Sequence, residues 1–304
     1  MNLYATGFNA WNQLCFHSLE DQQQQQPGDL YKLTHALSDK KIEAVEPYLT
    51  YTYVETCSGV KTAGAVPQEH VTFREQFGRF ALAANNSVIA LVDTTHLSQY
   101  NSIYSALSGT SPTRTHEFVG YIDKFVAYDV GFAVLTNAGE VWTWGDERYP
   151  GCLGRVVSAE SPASLPGRVT DLEELPTGKI IKIAAGGYTL AAITGGHDLY
   201  CWGGHPGRKQ IIEGVSPSLG PVPVVVQDDS DVVDVAVGDS HAIVLTNKGE
   251  VFVTGENANG QLGVVDSPAQ SNGAWIKVNL NLENEAPVGV AASPRASFIT
   301  TKLS

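Results

Sequence analysis

The stretch Gly238-Asp-Ser-His241-Ala-Ile-Val-Leu-Thr246-Asn-Lys-Gly249-Glu-Val251-Phe-Val-Thr-Gly255-Glu-Asn-Ala-Asn259-Gly260-Gln-Leu-Gly263 decides the fold. Its apolar run Ala242 to Leu245 has the length and composition of a buried strand. Thr-Asn-Lys-Gly is a tight turn in which Gly249 can take positive φ. Val251 to Thr254 is the returning strand, Gly255 ends it, and Asn259-Gly260 makes a second turn. The unit is a β-hairpin with room for further strands on either side.

The same frame recurs along the chain. Ala133-Val-Leu-Thr136-Asn-Ala-Gly139-Glu-Val141-Trp-Thr-Trp144-Gly145 matches it without a gap, as does Gly186-Gly-Tyr-Thr189-Leu-Ala-Ala-Ile-Thr194-Gly-Gly-His-Asp-Leu199-Tyr-Cys-Trp202-Gly203. Weaker copies are Tyr53 to Gly64 and Phe80 to Val92, and Leu3 to Gly7 is half of one more. The closing positions are then Gly7, Gly64, Val92, Gly145, Gly203 and Gly255. Residues 288–301 look like the first half of a unit and Leu3 to Gly7 like the second half. A unit split between the chain ends is how a ring of blades closes, because the last strands pair with the first and remove both free edges.

This predicts one all-β β-propeller domain over 1–304 with six units. The split unit is 1–41 plus 287–304, and the others are about 42–66, 70–123, 124–178, 179–230 and 231–286. The short interval from Gly64 to Val92 predicts a trimmed second blade. A seventh unit within 93–123 is the alternative count, and a linear solenoid is the rival architecture. Gln22 to Gln26 and residues 93–116 read as loop insertions.

Composition agrees with strands. The chain has 304 residues with 30 Gly, and its single Met is Met1. Charged residues are 17%, too few for long solvated helices or coiled coils. The formal charge of −13 argues against nucleic acid, which needs clustered Lys and Arg, and favours a basic protein partner. Cys15, Cys57, Cys152 and Cys201 show no Cys-x-x-Cys spacing and read as reduced thiols. The expected location is cytoplasmic, nuclear or both, with no membrane contact: there is no leader pattern and no long apolar run.

Val-Trp-Thr-Trp-Gly145-Asp, Leu-Tyr-Cys-Trp-Gly203 and Gly255-Glu-Asn-Ala-Asn-Gly-Gln-Leu-Gly263 resemble the repeat of the regulator of chromosome condensation family, most strongly over about residues 126–263. The resemblance implies a propeller, usually of seven blades. It does not define a function, because the family includes a Ran exchange factor, an alpha-tubulin suppressor that partners a small zinc protein, a partner of an oxygenase and a β-lactamase inhibitor. The small size without a basic tail looks most like the suppressor-type members. In the resemblance Gly7, Gly64, Gly145, Gly203, Gly255, Trp144, Trp202 and His241 are structural repeat positions.

No motif points to catalysis, metal or cofactor. His241 has no nucleophile beside it, so a structural role is expected. His197, Cys201 and His205 are four apart, but Gly203-Gly204 turns the chain and a fourth ligand is not evident. Gly203 to Gln210 has the glycines of a phosphate loop but not its Gly-Lys-Ser/Thr ending. The acidic run with Asp228, Asp229 and Asp231 reads as a solvated loop or as a landing site for a basic partner. Trp11, then Asp146, Glu147, Arg148 and Tyr149, then Glu256 and Asn257, follow successive closing glycines and should share one rim. Trp, Arg and Tyr are types enriched in binding hot spots. The reading is a non-catalytic protein-interaction scaffold or regulatory subunit. The alternatives are a guanine-nucleotide exchange factor for a Ran-type small GTPase and a chromatin or histone-binding regulator.

Overall fold

A computed structural model describes residues 1–16, 27–227, 230–264, 273–282 and 284–303. Asp228, Asp229 and the Gln22 to Gln26 run lie outside the described residues. The fold class is all-β, a propeller of six antiparallel blades. The chain forms two compact units, one of Met1–Val66, Gln210–Glu213 and Val225–Ser304, the other of Pro67–Lys209 and Gly214–Val224.

The first unit holds three blades. Blade 1 is built from both chain ends, in the order Leu30–Ser38, Asn2–Gly7, Ala296–Leu303, Glu285–Ser293. The inner pair runs in unbroken register from Asn2 opposite Thr301 to Gly7 opposite Ala296. Leu3, Ala5, Leu14, Ala296 and Phe298 pack beneath it, each at most 1% exposed. Blade 2 is Ile42–Pro47, Tyr51–Thr56 and Gly59–Gly64, with three strands only, so the expected trimmed blade is present, although the Gly64 to Val92 interval it was read from does not join two closing positions. Blade 6 is Val232–Val237, His241–Thr246, Val251–Gly255 and Ile276–Lys277.

The second unit holds blades 3, 4 and 5. Blade 4 is Ile122–Tyr128, Gly131–Thr136, Val141–Gly145 and Gly167–Arg168. Blade 5 is Ile180–Gly186, Thr189–Thr194, Leu199–Gly203 and Val222–Val224. Their second strands, like that of blade 6, are buried at every residue, which is why the sequence shows continuous apolar runs there. Blade 3 is Phe80–Leu82, Val88–Leu91, His96–Tyr100 and Arg114–Glu117. It corrects the repeat alignment. Val88 pairs with Tyr100, so the closing position is Tyr100, and Val92 is an exposed residue entering the Asp93–Thr95 turn at the opposite end. The run 88–91 is a second strand whose turn lacks the Gly that marks the other copies. Residues 93–116 are likewise not a loop insertion. They carry a strand, a short helix Ile103–Leu107 with a Ser102/Ser105 capping box, and the start of the outer strand. They belong to blade 3, not to a seventh.

The closing glycines have one physical cause. In five blades the residue after the closing position donates its N–H back to the carbonyl of the turn between strands one and two. The pairs are Phe8 to Arg295 at 2.9 Å, Ala65 to Thr50 at 2.8 Å, Asp146 to Val130 at 3.1 Å, Gly204 to Tyr188 at 2.6 Å and Glu256 to Ser240 at 2.8 Å. A Cβ at Gly7, Gly64, Gly145, Gly203 or Gly255 would lie 2.2–2.5 Å from that same carbonyl oxygen. Only glycine lets the backbones approach this closely.

Candidate functional site: an aromatic rim

The strand register decides which residues can meet. Gly131 pairs with Gly145 and Thr189 with Gly203. The first turns of blades 4 and 5, Asp129–Val130 and Gly187–Tyr188, therefore stand beside the loops that follow Gly145 and Gly203.

After Gly145 the chain enters a one-turn helix, Pro150–Leu153, that begins on Tyr149. Cys152 fixes it to blade 5: its thiol donates to the Tyr188 carbonyl at 3.2 Å, and its own carbonyl accepts the Trp202 indole N–H at 3.1 Å. Burial pushes the Cys152 thiol up to about 12, so it stays a neutral donor. With the helix held, the Tyr149 ring lies 4.9 Å from the Tyr188 ring. His205 completes the group at 5.4 Å from Tyr149 and 4.8 Å from Tyr188, edge-on to the latter. Two cations lie over the rings. The Arg148 guanidinium is 5.8 Å from the Tyr149 centroid and that of Arg208 is 5.4 Å from the Tyr188 centroid.

The two arginines are held differently. Asp146 grips Arg148 through Nε at 3.0 Å to each carboxylate oxygen and Nη2 at 2.6 Å. These hydrogen bonds hold the Asp146 carboxyl below its usual range. Arg208 is exposed, and its charge acts on the half-buried Asp129 without an ion pair between them. Burial raises the Asp129 carboxyl, and the charges of Arg208 and His205 pull it partly back. Burial, the Tyr149 hydroxyl and nearby Asp129 together push the Tyr188 phenol up to about 12.

The structure thus joins Arg148 and Tyr149 to Tyr188, His205, Arg208 and Asp129, which sequence reasoning had not brought together. Asp146 serves as the anchor of Arg148, and Glu147 is exposed beside it. His205 follows its closing glycine at the position that Asn9 and Asn257 fill in their blades. There the side chain is an internal staple. The Asn9 carbonyl oxygen accepts the Leu14 N–H at 2.9 Å, and that of Asn257 accepts the Leu262 N–H at 3.0 Å. Val66, Glu147 and His205 break this pattern in the other three blades that close on glycine, and of these His205 is the aromatic one.

In the first unit Trp11 is 43% exposed and packs edge-on against Phe8 at 5.5 Å, with the Arg295 guanidinium 5.9 Å over Phe8. Glu256 begins the loop after Gly255 in blade 6. Asp231 lies at the other end of that blade, where the Asn247 amide donates to it at 2.6 Å. Asp231 and Glu256 therefore do not share a rim. Trp144 and Trp202 are 1% exposed. His241 is fully buried, which holds its imidazole down to about 4. Cys201 is buried and its thiol is pushed well up, while His197 occupies a turn with φ of 73°. Among the described residues no group of three His, Cys, Asp or Glu is placed to hold a metal. No helix among them is long and apolar enough to cross a membrane.

Fold and repeats together define the class: a β-propeller carrying regulator of chromosome condensation (RCC1) repeats, which the RCC1 repeat models match at residues 138–193 and 232–261. More particularly, the chain is 37% identical over 134 residues to the mouse protein named Regulator of chromosome condensation, covering 43% of this chain and 30% of that one. It is 30% identical over 138 residues to the mitochondrial RCC1 domain-containing protein RUG3 of Arabidopsis thaliana, covering 43% of this chain and 29% of that protein. The matches thus span less than a third of the length of these curated relatives. Among solved structures it resembles Prp20p of Saccharomyces cerevisiae, reported with its binding properties to Gsp1p and histones, with TM-score 0.61, 12% identity, and coverage of 100% of this chain and 92% of that one. It also resembles human WBSCR16, with TM-score 0.60, 18% identity, and coverage of 98% and 81%. At these identities the two structures speak to the fold alone.

Proposed function

We propose that this chain is a non-catalytic protein-interaction module whose contact surface is the rim formed by Arg148, Tyr149, Tyr188, His205 and Arg208. One observation carries the reading. Three rings and two arginines gather on partly exposed side chains at the ends of blades 4 and 5, whose strands are already filled by Trp144, Trp202 and the buried second strands. Rigid Tyr rings and Arg side chains in such a cluster are the material of binding hot spots. Affinity capture from native lysate is compared between the natural chain and Tyr149→Ala/Tyr188→Ala. Partners retained in full by the double variant would sink the rim reading.

A second reading, guanine-nucleotide exchange on a Ran-type small GTPase, is favoured by the 37% identity to the mouse regulator over 134 residues. Exchange requires no catalytic side chain in the factor, only a surface that stabilises the nucleotide-free GTPase. Release of labelled GDP from such GTPases, followed by stopped flow, separates the readings: no acceleration at micromolar protein removes this one. Binding of histone tails is the third possibility the net charge of −13 would suit, and a weak salt dependence of such binding would count against it. Imaging of the tagged chain tests the expected nuclear or cytoplasmic location.

A further inference from the structure

The rim contains an asymmetry that names the chemistry of its partner. Arg148 is fully used by Asp146, through three contacts of 2.6–3.0 Å. Arg208 is not used in this way. Its guanidinium lies 5.4 Å from the Tyr188 centroid, its backbone N–H donates to the His205 carbonyl at 3.1 Å, and its side chain donates no hydrogen bond to the described residues. Asp129 mirrors it. Its backbone is tied down, N–H to the Gly187 carbonyl at 2.8 Å and carbonyl to the Asn85 N–H at 3.1 Å, but its half-buried carboxylate accepts no hydrogen bond from the described residues. A carboxylate withdrawn from water without a donor is costly and has strong residual affinity for a charged one. Beside it are three ring faces, Tyr149, Tyr188 and His205, within 5.4 Å of one another.

We propose that an arginine side chain of a basic protein partner takes the place over Tyr188 that Arg208 fills in the free chain, and forks onto the Asp129 carboxylate. Arg208 is a place-holder: it shows that a guanidinium fits over the ring, yet makes none of the hydrogen bonds the carboxylate offers. Arginine is the favoured cation because its plane stacks on Tyr188 while its edge presents paired N–H groups. A lysine ammonium can do one or the other. The excess of negative charge on the chain, −13, steers such a partner toward it. The inference rests on the rim reading above and specifies it.

The test is a chemical-shift titration of the full chain with three capped tripeptides, Gly-Arg-Gly, its lysine counterpart and its neutral citrulline isostere. Expected are shifts confined to the amides around Asp129, Tyr188 and Gly204, with arginine binding tighter than lysine and citrulline not binding. Arg208→Ala, an exposed change without structural cost, tightens the arginine peptide about fivefold, and Asp129→Asn weakens it about tenfold. Equal binding of citrulline and arginine would overturn the proposal. So would an Arg208→Ala chain with unchanged affinity, or preference for an acidic peptide that Arg208→Ala abolishes. If the arginine peptide fails while protein partners are still lost in Tyr149→Ala/Tyr188→Ala, this inference falls and the rim stands. If partners are captured independently of the two tyrosines, the rim reading itself falls.

Discussion

At the residue scale, the glycine at each closing position is explained by a carbonyl. A Cβ on Gly203 would lie 2.3 Å from the Tyr188 carbonyl oxygen at a φ of +96°. Gly249, in a hairpin turn at φ +72°, has nothing within 4 Å of that point. Gly203→Ala is therefore expected to cost about 3 kcal/mol and Gly249→Ala about 1 kcal/mol in urea denaturation, since only the first adds a backbone clash to the strain of positive φ. Gly203→Ala should also disturb the rim, because the carbonyl it strikes belongs to Tyr188. His241 supplies a second prediction. Burial holds its imidazole at about 4 in the folded chain, against 6.5 when exposed. The unfolded chain takes up a proton there that the folded chain refuses. Stability is thus full above about pH 6.5 and falls as the pH drops toward 4, by at most about 3 kcal/mol for this residue. His116, held down to about 4 by burial and by Arg114, acts in the same direction. Denaturation at pH 7 and pH 4.5 should show this slope shrinking in His241→Leu, and further when His116→Leu is added.

At the element scale, one arginine organises the connection that closes blade 4. Arg155 donates to the carbonyls of Thr143, Ser161, Pro162 and Leu165 at 2.9–3.2 Å and to the Ser161 hydroxyl at 2.8 Å. A guanidinium can serve acceptors spread in one plane, and an ammonium cannot. Arg155→Lys should lose most of these bonds and cost about 2 kcal/mol. Hydrogen exchange should rise first in residues 158–167 while the Val141–Gly145 strand stays protected. How far elements could be read from sequence depended on their turns. Blades 4, 5 and 6 show apolar run, Gly-containing turn and returning strand because each second strand is buried at all six residues. Blade 3 was misaligned at Val92 because its Asp93–Thr95 turn is held by the Thr95 and His96 backbone N–H groups donating to the Asp93 carboxylate rather than made by glycine. Blade 2 was legible as short, but not that the chain would leave Gly64 for the helix Gln68–Phe77, where Phe73 is fully buried.

At the scale of the whole molecule, the six blades fall into two compact units that interleave along the sequence, since Gln210–Glu213 belongs with the terminal segments and Gly214–Val224 with the central one. Reading residues 1–304 as a single domain predicts one calorimetric transition whose calorimetric and van't Hoff enthalpies agree. Two resolved transitions would show that the units unfold separately. The chain ends meet in blade 1 because Asn2–Gly7 supplies a central strand to Ala296–Leu303, and this was visible from two half-repeats.

The sequence alone determined the hairpin unit, its recurrence and the split unit at the termini, because these depend on local chemistry: apolar periodicity, turn residues and the steric freedom of glycine. Only the tertiary structure decided the candidate site. Tyr149, Tyr188, His205 and Asp129 come from different turns of two blades, and nothing in their spacing relates them. They meet because the Gly131–Gly145 and Thr189–Gly203 pairings place those turns and loops together and Cys152 locks the intervening helix to the Tyr188 carbonyl. The two kinds of candidate contact in blade 6 lie apart for the same reason: Asp231, from the acidic run, and Glu256, from the loop after Gly255, belong to one blade, but its strands carry them to opposite ends.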